Sequence, residues 1–124
     1  MTPILFFQDE GGRVPLLEWL DGLPDKARWK CLARLERLEV LGHELRRPEA
    51  DYLRDGIYEL RASFQGVHYR MLYFFHQTRA IVISHGLQKE REVPVVEIAR
   101  AIARKRRFEQ APEKHSFPGG RRYD

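Results

Sequence analysis

The sequence predicts a single α+β domain, an antiparallel sheet with helices packed against it. Two observations predict that class. Apolar residues recur at helical spacing in stretches near both ends of the chain. Between them, residues 57–63 alternate with the period of two that belongs to strands. The predicted order is β-α-α-β-β-β-α, with no internal repeat.

Each element has a local reason. "ILFF", residues 4–7, is short, apolar and followed by "DEGG", which suits a buried strand ending in a turn. Over residues 14–20, "VPLLEWL" sets Pro15 early in a short helix with apolar residues at 16, 17, 19 and 20. "DGLPDK" breaks that helix and Asp25 opens the next. There Cys31, Leu32, Leu35, Leu38 and Leu41 form one stripe, with Arg28, Lys30, Arg34 and Arg37 mostly off it. Gly42 suits the C-terminal cap, and a loop containing Pro48 follows. In the next strand Ile57, Glu59, Arg61 and Ser63 share one face, while Tyr58, Leu60 and Ala62 share the other. "SFQG" reads as a hairpin turn and residues 67–75 as the partner strand. Residues 80–87, "AIVISHGL", are β-branched and apolar, as a covered central strand is. Pro94 starts a last helix that packs through Val95, Ile98, Ala99 and Ile102, with Arg100, Arg104 and Arg107 on its opposite face.

The 124 residues are 43% hydrophobic and 32% charged, the composition of one soluble globular domain. No apolar run approaches the roughly 20 residues that span a bilayer. "MTPILFFQDEGG" lacks a basic leader segment and reaches Asp9 and Glu10 early, so a cytoplasmic location is expected. Cys31, the only cysteine, excludes an intrachain disulfide and a four-cysteine zinc site. Residues 109–124, "EQAPEKHSFPGGRRYD", have two prolines, two glycines and no periodicity. They read as a flexible C-terminal tail, leaving the domain at residues 1–108. Charge is unevenly spread: residues 1–56 carry 9 Lys+Arg against 11 Asp+Glu, and residues 57–124 carry 13 against 7. A basic second half fits a polyanionic partner, nucleic acid or acidic protein, or else a merely soluble surface.

The central hairpin poses the functional question. Arg61 and Arg70 each stand in a strand otherwise rich in Tyr, Phe, Leu and Met. If Arg70 faces a groove, Tyr69 and Tyr73, of opposite parity, belong to the core.

"YLRDGIYELRASFQGVHYRMLYFF" (residues 52–75), "IVISHGLQKEREVP" (81–94) and "EIARAIARKRR" (97–107) resemble the RelE/ParE superfamily of toxins. The branch they resemble is the HigB-like one, which includes phage-derived host-killing proteins. "DGIYELR" followed by "YRMLYFF" carries the specific part, and the likeness covers about residues 4–108. The resemblance implies a compact RelE-like domain, the toxin of a type II toxin–antitoxin pair, and cleavage of mRNA on the ribosome without metal or organic cofactor. It implies as partners the ribosome, mRNA and a neutralising antitoxin, helix-turn-helix and HigA-like in kind, and no membrane. Two alternatives stand beside it: a ParE-like toxin that inhibits DNA gyrase without cutting RNA, and an inactive prophage-derived relative.

A ribonuclease working without metal must take a proton from the attacking 2′-hydroxyl, protonate the leaving 5′-oxygen and hold cations on the phosphorane between them. Arginine suits the last task because its planar fork grips phosphate oxygens and stays charged. Arg70 matches the phosphate-contacting arginine of the family, and Arg61 stands beside it in the "ELR" strand. The ordinary alternative for each is a strand arginine paired with Glu59 or another carboxylate. Lys89 and Arg91, in "QKER", match the family's basic segment and are candidates for general acid or phosphate contact, or else belong to a solvated loop. Glu90 stands where the branch commonly has a second lysine. For the base, Glu59 is one candidate, although a carboxylate flanked by arginines is a weak one. His85, nearest the basic segment, is another, with His68 and His76 as alternatives. Arg100, Arg104, Lys105 and Arg107 are candidates for the RNA backbone, or form the cationic end that a helix dipole favours.

Overall fold

The computed structural model describes residues 1–119, a six-stranded sheet with helices on both faces. In chain order come β1 (Ile4–Phe7), α1 (Pro15–Asp21), α2 (Asp25–Leu41) and a 3-10 turn at Gly42–Glu44. Then follow β2 (Ala50–Arg54), β3 (Ile57–Phe64), β4 (Val67–His76), β5 (Ala80–Gln88), α3 (Val95–Gln110), α4 (Pro112–His115) and β6 (Ser116–Pro118). The sheet runs β2-β3-β4-β5-β1-β6. Its pairs are antiparallel except β1 with β5, which are parallel. Among the described residues, no helix is long and apolar enough to cross a membrane.

Two apolar layers hold this arrangement. On one face α1 and α2 press Leu16, Leu20, Ala27, Cys31, Leu35 and Leu38 onto Leu60, Ala62, Tyr69, Met71 and Tyr73. Helix α1 comes so close that a Cβ at Gly86 would lie 2.1 Å from the Trp19 ring. On the other face Ile98, Ala101 and Phe108 of α3 cover Ile57, Leu72, Phe74 and Val82. The strand parity expected for the hairpin therefore holds, with Tyr69 and Tyr73 buried and Arg70 on the α3 side. The two two-residue hairpin turns, Asp55-Gly56 and Gln65-Gly66, have positive φ at both central residues, the type I′ pattern that matches strand twist.

The structure corrects three expectations. The region after Pro48 holds a strand, β2, which pairs with β3 from Ala50↔Leu60 to Arg54↔Ile57. Residues 109–119 are no flexible tail: Glu109 and Gln110 end α3, and β6 adds to the sheet beside β1. His115 is buried there, its ring stacked on Phe7 at 4.9 Å and its Nδ1 2.7 Å from the Gln8 carbonyl oxygen. The rest of the expected tail, residues 120–124, lies outside the described residues. Finally, the buried stripe of α3 is Ile98, Ala101 and Phe108, while Val95 is 72% exposed and Ala99 is exposed. The anchor is Phe108, seven residues and so two turns beyond Ala101 on the same face, edge-on to Phe74 at 5.8 Å.

Candidate functional site: an arginine cleft on the open face of the sheet

Helix α3 covers only part of its face of the sheet. Beyond Ile98 and Val93 the strands stand open, and a cleft of about 500 Å³ is lined there by Asp51, Glu59, Arg61, Arg70 and Arg91, among others. Arg61 and Arg70 are direct cross-strand partners. Two like charges so placed repel unless something stands between them. Glu59 does, because its place two residues before Arg61 puts it on the same face. Arg70 donates from Nη1 to Glu59 Oε1 at 2.7 Å, and Arg61 donates from Nη2 to Glu59 Oε2 at 3.2 Å and to Asp51 Oδ2 at 3.3 Å.

Burial sharpens this network. The Glu59 side chain is 4% exposed, Arg70 12% and Arg61 35%. Both Glu59 oxygens already accept from guanidinium groups, which is the geometry of a counter-ion and not of a free proton acceptor. Asp51 is held below the usual carboxylate range, chiefly by its hydrogen bond with Arg47. Arg61 Nε is buried with no hydrogen-bond partner, an unspent donor in this cationic cluster.

The remaining sequence-derived residues divide. Arg91 lines the cleft, and Lys89 lines an adjoining hollow with Arg91, His68 and Glu90. His68 also lines a third hollow together with Arg61 and Arg70. The backbone explains the meeting, since the Lys89 N–H donates to the His68 carbonyl at 3.2 Å and carries the β4–β5 pairing to the basic turn. His68 is thus the histidine that the fold brings to the arginines.

His85 is not. It lies under α3, with Nδ1 2.7 Å from Ser84 Oγ and Nε2 3.0 Å from Glu97 Oε1. Burial lowers its pKa to about 4, the bond to Glu97 opposing only in part, so at neutral pH it is an uncharged pin between β5 and α3. His76 packs edge-on against Phe108 at 5.0 Å, at the other end of β4 from Arg70.

Arg100, Arg104, Lys105 and Arg107 of α3 each have a partner within the protein. Arg100 pairs with Glu97, and Lys105 with Glu109 at 3.5 Å. Arg104 and Arg107 both lie over the Phe7 ring at 5.6 Å, and Arg107 also reaches Glu10 at 3.3 Å. Burial, with Arg100 and Arg107 alongside, pulls Arg104 below the ordinary guanidinium value. None of the four lines the arginine cleft.

Asp51 and Tyr52 of β2 line the cleft without having been singled out in the sequence. A signal was present: in "ADYLRDGI" a short Tyr-Leu run leads into an Asp-Gly turn directly before the strand that opens at Ile57, the mark of a hairpin. Among the described residues no group of three or more His, Cys, Asp or Glu is placed to hold a metal ion.

No curated protein sequence matches this chain. A family model, described as "Phage derived protein Gp49-like (DUF891)", matches residues 18–106, which includes both arginine strands, the basic turn and most of α3. The chain therefore belongs to the Gp49-like phage-derived protein family, within the RelE/HigB-like toxin superfamily.

Proposed function

We propose that this protein is the toxin of a type II toxin–antitoxin pair and acts as a ribosome-dependent mRNA endoribonuclease of the HigB kind. The observation that carries the reading is the placement of Arg61 and Arg70. They are cross-strand partners, project from an uncovered sheet face and line a cleft that Arg91 also reaches. A phosphodiester that enters the cleft meets two guanidinium groups fixed by backbone register, the arrangement that stabilises charge developing on a phosphorane. Glu59 sets their separation. His68 faces the same side of β4 as Arg70 and is the group suited to take the 2′-hydroxyl proton; Lys89, on the adjoining turn, is suited to protonate the leaving oxygen. A small antitoxin would neutralise the toxin, and the ribosome would present the RNA.

Primer extension on an mRNA, with and without translating ribosomes, tests the reading, with EDTA in the ribosome-free arm. Codon-phased cuts only on ribosomes are expected from the wild-type protein and none from Arg70→Ala. Wild-type protein that cuts in neither arm, yet inhibits DNA supercoiling by gyrase, overturns the nuclease in favour of a ParE-like toxin.

A further inference from the structure

A second hollow lies across strand β2 from the arginine cleft. It has a volume of about 550 Å³ and is lined by His43, Arg46, Arg47, Asp51, Tyr52 and Tyr58 together with two apolar side chains. Asp51 and Tyr52 belong to both openings, and β2 is an edge strand, so a chain can pass over it from one to the other. The size falls within the roughly 300 to 1,000 Å³ of small-molecule sites.

The walls are aromatic and fixed. Tyr73, buried in the core, stacks on Tyr58 at 5.3 Å with ring planes 16° apart. Tyr58 meets Tyr52 edge-on at 5.0 Å, and Tyr52 is 52% exposed. A second branch runs from Tyr58 to Phe75, on which His43 stacks at 3.5 Å. The row is therefore rooted in the core and reaches the surface at Tyr52 and His43. An exposed edge tyrosine by itself means little, since β-propensity explains it. Here the Tyr52 hydroxyl accepts from the Gly56 N–H at 3.1 Å, which holds the ring in one orientation. Arg46 and Arg47 stand exposed on the same hollow, and Arg47 pairs with Asp51 at 3.0 Å.

We propose that this hollow is a base-stacking subsite for single-stranded RNA, seating the nucleotide next to the phosphate held at Arg61 and Arg70. The inference rests on the nuclease reading above. Ordered rings give π-faces to a splayed base, neighbouring arginines hold its phosphate, and the open edge of β2 offers backbone groups to its polar edge. An acidic peptide would use the arginines but has no need of the rings, and the path from the hollow leads to a phosphate-binding cleft. RNA is the better fit on both counts.

The test is single-turnover cleavage, on programmed ribosomes, of a fluorescein-labelled mRNA with an adenine-rich A-site codon, followed by a panel of other codons. Tyr52→Ala is expected to raise the half-saturating toxin concentration roughly 5- to 100-fold, to change the saturating rate far less than Arg70→Ala does and to flatten the preference among codons. Tyr52→Phe, which keeps the ring but loses the bond from the Gly56 N–H, should fall between the wild type and Tyr52→Ala. Arg46→Ala, at an exposed position that does not burden folding, should weaken binding uniformly across codons and lessen its salt dependence. Tyr52→Ala and Arg46→Ala curves that superimpose on the wild type, while the wild type cuts, overturn the subsite and leave the nuclease standing. Normal cutting by Tyr52→Ala with lost neutralisation by antitoxin would mean that the hollow docks a protein, and also overturns it. A wild-type protein that cuts nothing removes both readings together.

Discussion

Glu49 and Glu59 are each gripped by two arginines, and the two units have different consequences. Glu49 accepts from Arg34 at 2.7 Å and from Arg37, both on α2; Glu59 accepts from Arg61 and Arg70 on neighbouring strands. The first unit ties a helix to the start of β2. Arg34 strengthens the tie by donating from Nε to the Arg61 carbonyl at 2.9 Å. The second ties nothing that the β3–β4 ladder does not already hold. Its effect is to keep two like charges side by side on a face that α3 leaves open. Arginine–carboxylate pairing alone thus says little about function; the backbone that carries the arginines decides what the pairing does.

The sharpest way to break the comparison is to remove one arginine from each unit. Arg70→Ala should cut the rate of mRNA cleavage about 100- to 1,000-fold, the loss typical of one donor to a developing oxyanion, while folding and antitoxin binding persist. Arg34→Ala should leave cleavage near the wild-type rate. Equal losses from the two variants, read by primer extension on ribosomes, would remove the functional distinction.

Next in size is Glu59→Gln, which keeps the shape but leaves Arg70 without its counter-charge and Arg61 with Asp51 alone. Removing one partner of a buried pair costs about 3 to 5 kcal/mol, and the lower end applies because Arg61 is a third exposed. Urea unfolding should show that loss. Cleavage per folded molecule should fall much less than in Arg70→Ala; an equally deep loss would mean that Glu59 takes the proton itself.

His85 adds a pH signature independent of both units. Its folded pKa, about 4, lies below the ordinary value of 6.5. Between those values the unfolded chain binds a proton that the folded chain refuses, so stability falls as pH drops through that window. The full difference is on the order of 3 kcal/mol. In His85→Asn the fall between pH 7 and pH 4.5 should be shallower while ribosomal cleavage is retained. An unchanged slope would place the acid sensitivity elsewhere.

Much of this was legible in the sequence because short-range rules govern it. Period-two alternation set the faces of β3 and β4, so the burial of Tyr69 and Tyr73 opposite Arg70 followed without knowledge of the partners. The capping role of Gly42 and the start of α3 after Pro94 were equally local. What escaped depended on distant contacts. Residues 116–118 become a strand because β1 offers an edge more than a hundred residues earlier in the chain. His85 looked available from its nearness to the basic turn, yet a register shift in β5 between the partners of Leu72 and Tyr73 places it on the α3 side against Glu97. The spacing put Arg100, Arg104 and Arg107 on one face of α3, but not the meeting of two of them with Phe7 and Glu10 from the other end of the chain.

The smallest expected effect completes the contrast. The Glu49 carboxyl sits below its usual range, first because Arg37 hydrogen-bonds it, with Arg34 adding to the pull. A carboxylate lowered in the folded state stabilises above its unfolded pKa, and that stabilisation is lost as pH falls through the folded value. Glu49→Gln should therefore be less stable than the wild type at neutral pH and converge with it in acid, by urea unfolding across the pH range. The loss should be smaller than for Glu59→Gln, because Arg37 is half exposed and water screens it. Cleavage should not change. A Glu49→Gln loss as large as that of Glu59→Gln would mean that burial does not separate the two units, and the case for Glu59 as the counter-ion of a working cleft would rest on position alone.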